Sequence, residues 1–123
     1  MISEDTLRRA VELAGWGHAF DPGGELWIEA PEDISPSSPY RSSWTWDELP
    51  QALLDALAAA LVRLVDAAPD GVLLEIYERR ATITKFDLYG MPKVEWHSRC
   101  PDRTENTINC IVEFADKNPG VLS

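Results

Sequence analysis

The sequence predicts an α+β fold, one domain over residues 1–123, in which an antiparallel sheet of about four strands packs with three helices in the order α-β-α-β-β-β-α. Three observations lead there. Apolar residues recur at helical spacing in three separate windows. Between the second and third windows, β-rich segments follow one another with only two- or three-residue breaks, which forces neighbouring strands to run antiparallel. Finally, 45% apolar residues and five tryptophans in 123 residues suffice for a single core without staples.

The first helix is announced by Ser3 as a cap, with Glu4 and Asp5 in the first turn, where unpaired amides favour negative charge. Leu7, Ala10, Val11 and Ala14 then share a face, and Gly15 ends the run. After the Asp21-Pro22-Gly23-Gly24 turn, "ELWIE" at 25–29 alternates Leu26 and Ile28 with Glu25, Trp27 and Glu29, the pattern of a strand. The segment "APEDISPSSPYRSS" at 30–43 has three prolines and is expected to be a long Pro/Ser-rich loop.

A second helix is expected from about Trp46 to Ala67, its apolar face made by Leu49, Leu53, Leu57, Leu61, Leu64 and Val65. Thr45 serves as its cap, Glu48 completes a capping box, and Trp44 staples onto Leu49. Pro50 would then fall where a backbone amide is wanted, so the cap can slip to Asp47. Trp46 is left without a structural duty under the first register. It either packs on a neighbouring segment or serves as an aromatic anchor for a partner, as tryptophans at binding hot spots do.

Three strands follow, "VLLEIYER", "TITKFDLY" and "KVEWHS", separated at Arg80-Ala81 and at Gly90-Met91-Pro92. A last helix runs from about Thr104 to Lys117 with Ile108, Ile111, Val112 and Ala115 inward, stopped by Asn118-Pro119-Gly120.

Catalytic equipment is sparse. There is no glycine-rich phosphate loop, nucleophile elbow or zinc-protease pair. His97, Cys100 and Cys110 have the spacing His-x2-Cys-x9-Cys, which is not a zinc pattern. Cys110 is expected in the core and Cys100 in the loop before the last helix. Glu75 could meet Asp87 or Glu95 across the meander, but 21 acids make such pairings common by chance. No enzyme activity, cofactor or metal is expected. With two cysteines, an acidic amino terminus and no long apolar run, the chain reads as cytosolic, without a membrane segment.

Charge is the strongest remaining signal. The net charge is −10, and residues 1–55 hold 11 acids against three bases, a net −8, while the remainder holds 10 against eight, a net −2. Such a half-molecule repels nucleic acid and attracts the basic surfaces that bind it. The plainer alternative is that the acids keep the protein dissolved. The candidate partner-binding residues are Glu25, Glu29, Glu32, Asp33, Tyr40, Trp46, Asp47 and Glu48.

The helix end "AVELAGWGH", the strand "ELWIE", the lead-in "SPYRSSWTWDELPQAL", the meander beginning "LLEIY" and the late helix "NTINCIVEFAD" together resemble small phage proteins of the phage ABA-sandwich type. Members often carry an early glycine-tryptophan, a Tyr-Ser-Thr-Asp type lead-in to the middle helix and an Ala-Ile-Cys segment in the last one. Here the lead-in is Ser-Ser-Trp-Thr-Trp-Asp and the last helix has Thr107, Ile108, Asn109 and Cys110 instead. The likeness brings no catalytic residues. It implies an accessory phage gene acting in the bacterial cytoplasm, and hence a non-enzymatic inhibitor of a CRISPR-Cas-like defence complex, an anti-CRISPR protein being one example. The expected partner is a basic nucleic-acid-binding protein or ribonucleoprotein of the host, its groove blocked by the acidic surface. An immunity-type protein neutralising a toxin nuclease would use the same physics, and a phage assembly protein is a third alternative.

Overall fold

A computed structural model of the chain describes residues 2–29, 31, 43–68, 72–76, 80–86, 89, 92–99, 102–118 and 122, with 86 and 92–99 as main chain only. The fold is α+β. Helices α1 (Glu4–Ala14), α2 (Gln51–Asp66) and α3 (Arg103–Lys117) are joined by strands β1 (Gly17–Phe20), β2 (Leu26–Glu29), β3 (Ser43–Thr45), β4 (Val72–Ile76), β5 (Arg80–Phe86) and β6 (Pro92–Arg99). The strands form two three-stranded antiparallel sheets, ordered β1-β2-β3 and β4-β5-β6, in place of one sheet of about four.

The three helices touch one another and each meets a sheet: α1 meets β1 and β2, α2 meets β4, and α3 meets β5 and β6. Sequence periodicity decides which faces meet. Leu53, Leu57, Leu61 and Val65 of α2, and Ile108, Ile111, Val112 and Ala115 of α3, are all buried, as their spacing demands. Ala10 and Val11 of α1, Leu26 and Ile28 of β2, and Ile83 of β5 supply the faces they pack on. Fully burying one such aliphatic side chain contributes about 1.5–3 kcal/mol. No helix among the described residues is long and apolar enough to cross a membrane.

Local signals hold at the ends of α1. The Ser3 side chain accepts from the Thr6 amide at 3.2 Å, and Gly15, at φ 77°, takes the left-handed conformation that ends the helix, its amide reaching back to Glu12 and Val11. Charged contacts then join the helices. Arg9 lies 2.8 Å from Glu12 and 2.7 Å from Asp116, tying α1 to α3, while Asp55 of α2 accepts from Thr104 of α3 at 2.8 Å.

The start of α2 differs from the expectation. The helix begins at Gln51, and Pro50 occupies the cap with no side-chain bond, its carbonyl accepting from the amides of Leu53 and Leu54. Two facts force this. Proline has no amide to donate back into a helix begun at Trp46, and it disfavours the helical region for Leu49 before it. Thr45 and Glu48 therefore make no capping box. Thr45 is the last residue of β3, opposite Trp27, and Trp44 pairs with Ile28 and is buried in the core. Ser43, expected in the loop, opens the same strand, and Arg80 and Ala81, expected as a break, open β5, where Ala81 pairs with Ile76.

Candidate functional site

The candidate site is built where β2 and β3 hand the chain over to α2. Asp21 organises the hairpin before β2: its carboxylate accepts from the Glu25 amide at 2.9 Å and from the Trp27 indole at 3.2 Å, while its carbonyl accepts from Gly24. Gly24 sits at φ 84°, a conformation L-residues avoid, which is why the turn needs glycine there. These bonds hold the Asp21 carboxyl below the ordinary carboxylate range, the Glu25 amide first and the Trp27 indole second.

Across the ladder, the Trp46 amide donates to the Leu26 carbonyl at 3.1 Å, and the Glu48 amide then closes a turn on Thr45 at 3.1 Å. This turn answers the question of the paired tryptophans. Trp44 points with Ile28 into the core, and Trp46, half-buried, lies at the surface edge of that core with Asp47 and Glu48 exposed beside it. The hydroxyl of Thr45 between them is buried without a hydrogen-bond partner among the described residues.

The acids of this corner gather. The Glu25 carboxyl is raised above its ordinary value, first by burial and then by the negative charges of Asp47, Asp21, Glu48 and Glu4. Three of the sequence candidates, Glu25, Asp47 and Glu48, thus belong together beside Trp46. Glu29 does not join them: it stands at the other end of β2, about 13 Å along the strand, with its carboxylate over Gly17. Glu32, Asp33 and Tyr40 lie outside the described residues. Asp21 and Glu4 were missed as site residues, although the Asp-Pro-Gly-Gly turn marks where the first must be.

Beside Trp46 opens a cavity of about 60 Å³. Ile2 before α1 and Leu7 in its first half, Leu49 before α2 and Leu54 within it form its apolar lining, which Asp47 and Glu105 complete. Glu105 comes from α3, too far along the chain for any local pattern to place it here. A second, larger groove of about 500 Å³ runs between α1 and α3. Its acids are neutralised, Asp116 by Arg9 at 2.7 Å and Glu113 by Lys117 at 3.1 Å.

The other chemistry-bearing residues stay apart. Cys110 is wholly buried, as expected, and burial, followed by the charge of Glu113, pushes its thiol up to about 12, so no reactive thiolate forms near neutrality. The backbone of Ile83 lies beside Cys110, and position 97 is opposite Thr82 in the ladder. Cys100 is outside the described residues. Positions 75 and 95 are paired with Thr82 and Thr84 and separated by the whole of β5, about 10 Å apart across the sheet, so they are not a cross-strand pair. Asp87 lies outside the described residues.

Fold and site together define a two-sheet α+β protein with an acidic corner around a half-buried tryptophan. Comparison with known protein families, curated proteins and solved structures gives no match.

Proposed function

We propose that the protein is a stoichiometric, non-enzymatic inhibitor that lays its acidic corner on a basic, nucleic-acid-binding groove of another protein. The resemblance to small phage proteins sets this in the context of a phage-encoded blocker of a bacterial CRISPR-Cas-like defence complex. One observation carries the reading: Asp47 and Glu48, two acids chosen from sequence, stand exposed beside half-buried Trp46, and with Glu25, Asp21 and Glu4 they make one acidic corner, in which the Glu25 carboxyl is raised first by burial and then by the charges of the other four. Folding has accepted like-charge repulsion there. A partner with the opposite potential would relieve it, and charge would steer the encounter while the aromatic area lengthens residence.

The test is capture from a bacterial lysate at low salt and again at about 1 M, where the Debye length falls to about 3 Å. Retention of a nucleic-acid-binding protein that is shed at high salt, and competition by its nucleic acid, support the proposal. A partner held equally at both salts sinks it, as does one still bound with its nucleic acid in place. Retention of a toxin nuclease would replace defence inhibition with immunity.

A further inference from the structure

We propose that the outer edge of β1 is a docking site for an extended segment of another protein, which adds to the first sheet as a fourth strand and carries the pattern apolar, any residue, apolar, basic. The inference goes beyond the acidic-corner reading and does not rest on it. β1 is the outer strand of the sheet β1-β2-β3, and it lacks the devices that protect such edges: Gly17–Phe20 holds no lysine or proline, and its register against β2 runs without a bulge. Gly17, Ala19 and Phe20 are exposed, Phe20 at 53%.

Hydrogen bonding decides what this edge offers. Bonded and non-bonded pairs alternate along an antiparallel ladder. The Asp21 amide donates to the Glu25 carbonyl at 3.0 Å, so Ala19–Trp27 and Gly17–Glu29 are bonded pairs, and His18–Ile28 and Phe20–Leu26 are the non-bonded pairs between them. Leu26 agrees, since its carbonyl accepts from the Trp46 amide on its other side. His18 and Phe20 therefore send their amides and carbonyls away from the sheet, four backbone groups with no bond among the described residues.

Side chains set the sequence of the occupant. His18 and Phe20 share one face, their ring centroids 6.5 Å apart and the rings nearly perpendicular, so the two residues that pair with them meet an aromatic surface. On the other face Gly17 has no side chain, and the Glu29 carboxylate takes its place, one oxygen 2.9 Å from where a Cβ would stand. Glu29 has no hydrogen bond or ion pair among the described residues. Directly opposed Cβ positions lie about 4.5–5.5 Å apart, so a lysine or arginine opposite Gly17 reaches that carboxylate. A second copy of the chain fits badly. The twofold register that uses both outward residues sets Gly17, with Glu29 over it, opposite Asp21 of the other copy, acid against acid, and each copy carries −10.

The experiment titrates the full chain, labelled with nitrogen-15, with acetylated and amidated Thr-Val-Thr-Val-Lys-Thr, whose valines pair with Phe20 and His18 and whose lysine falls opposite Gly17. The expected result is a saturable shift with a dissociation constant on the order of 1 mM, together with slowed amide exchange at His18 and Phe20. N-methylating both valines removes the donors that face the edge and should abolish saturation; N-methylating the threonine between them, whose amide points away, should leave affinity within about twofold. Glutamine in place of the lysine should weaken binding about two- to fivefold, and Glu29→Gln, at an exposed position, should erase that difference. Phe20→Pro removes an outward donor from an edge strand, where proline is tolerated, and should abolish binding with the melt unchanged. Absence of saturation with the parent peptide, equal affinity for the peptide methylated on both valines, or a preference for lysine that survives Glu29→Gln overturns the proposal. Concentration-dependent protection of His18 and Phe20 without peptide would overturn it in favour of a second copy. Failure here leaves the acidic corner standing, and a lysate that yields no salt-sensitive partner leaves the edge standing.

Discussion

Glu12 and Glu25 carry the same carboxyl into opposite surroundings. Glu12, at the end of α1, receives hydrogen bonds from Arg9 and Arg8, each at 2.8 Å, and its carboxyl is held below the ordinary range chiefly by the Arg9 bond. Glu25, at the corner of the first sheet, is raised by burial and by four neighbouring acids. The α1–α3 seam therefore sets its acids against bases, whereas the corner sets acid beside acid. The lesson is that the net charge of −10 is not one property of the molecule. Part of it is consumed internally, and what projects outward is set by where the bases are.

The largest expected effect breaks that contrast from the side of the corner. Asp47→Lys combined with Glu48→Lys removes two negative charges and adds two positive ones at exposed positions. Affinity for the captured partner at low salt should fall at least about 100-fold, with a shallower salt dependence, because close charge pairs across interfaces couple by about 1.5–7 kcal/mol. The melting temperature should hold or rise, since like-charge repulsion is relieved. Binding competition at two salt concentrations and a thermal melt together check this. A fully active double variant would leave the acids of the corner with no more role than solubility.

Next in size is Thr45→Val. The hydroxyl of Thr45 is buried without a partner among the described residues, and leaving such a group unsatisfied costs about 1–3 kcal/mol. Removing it on a strand that favours β-branched residues should stabilise the fold by about 1 kcal/mol in chemical denaturation, with partner binding unchanged. A loss of affinity with gained stability would mean that the hydroxyl sets the position of the neighbouring Trp46.

Much of this contrast was legible in the sequence, and the illegible part has a physical cause. Ser3, Gly15 and the leucine ladder of α2 could be read because caps and helical periodicity are local. The strand at 17–20 was missed because four residues with a glycine and an exposed alternation look like loop, and its identity depends on pairing with β2. The Asp-Pro-Gly-Gly turn between Phe20 and Glu25 was the available signal for that hairpin. At 43–45 the capping-box pattern competed with a strand pairing that only the ladder with Trp27 and Ile28 decides. With two strands missed, the second sheet was missed too. At the site, Asp47 and Glu48 flank Trp46 in sequence and could be proposed together; Glu4 and Glu105 arrive through tertiary packing.

A smaller effect comes from the seam. Arg9→Ala removes a side chain bonded to both Glu12 and Asp116, all three partly exposed, so the loss should be about 0.5–1 kcal/mol, a few degrees in melting temperature. Partner binding should not change, because the seam lies outside the corner. A variant that melts normally but binds poorly would mean that the partner spans both regions.

The smallest effect, and the sharpest test of the contrast, is its dependence on pH. A carboxyl whose folded value is lowered stabilises the protein above its unfolded value, and that contribution is lost as pH falls through the folded one. Glu12 is of this kind, so the deficit of Arg9→Ala relative to the parent should shrink on acidification below the ordinary carboxylate range. Glu25 has the opposite sign. Its folded value lies above the unfolded one, so ionising it costs stability as pH rises through that window, and the cost persists at neutral pH. Glu25→Gln should therefore melt slightly above the parent at neutral pH and converge with it in acid, where the parent carboxyl is protonated. Melts of both variants and the parent across pH 3–7 read the two signs in one series. If the two differences moved with pH in the same direction, the seam and the corner would not be electrostatically distinct.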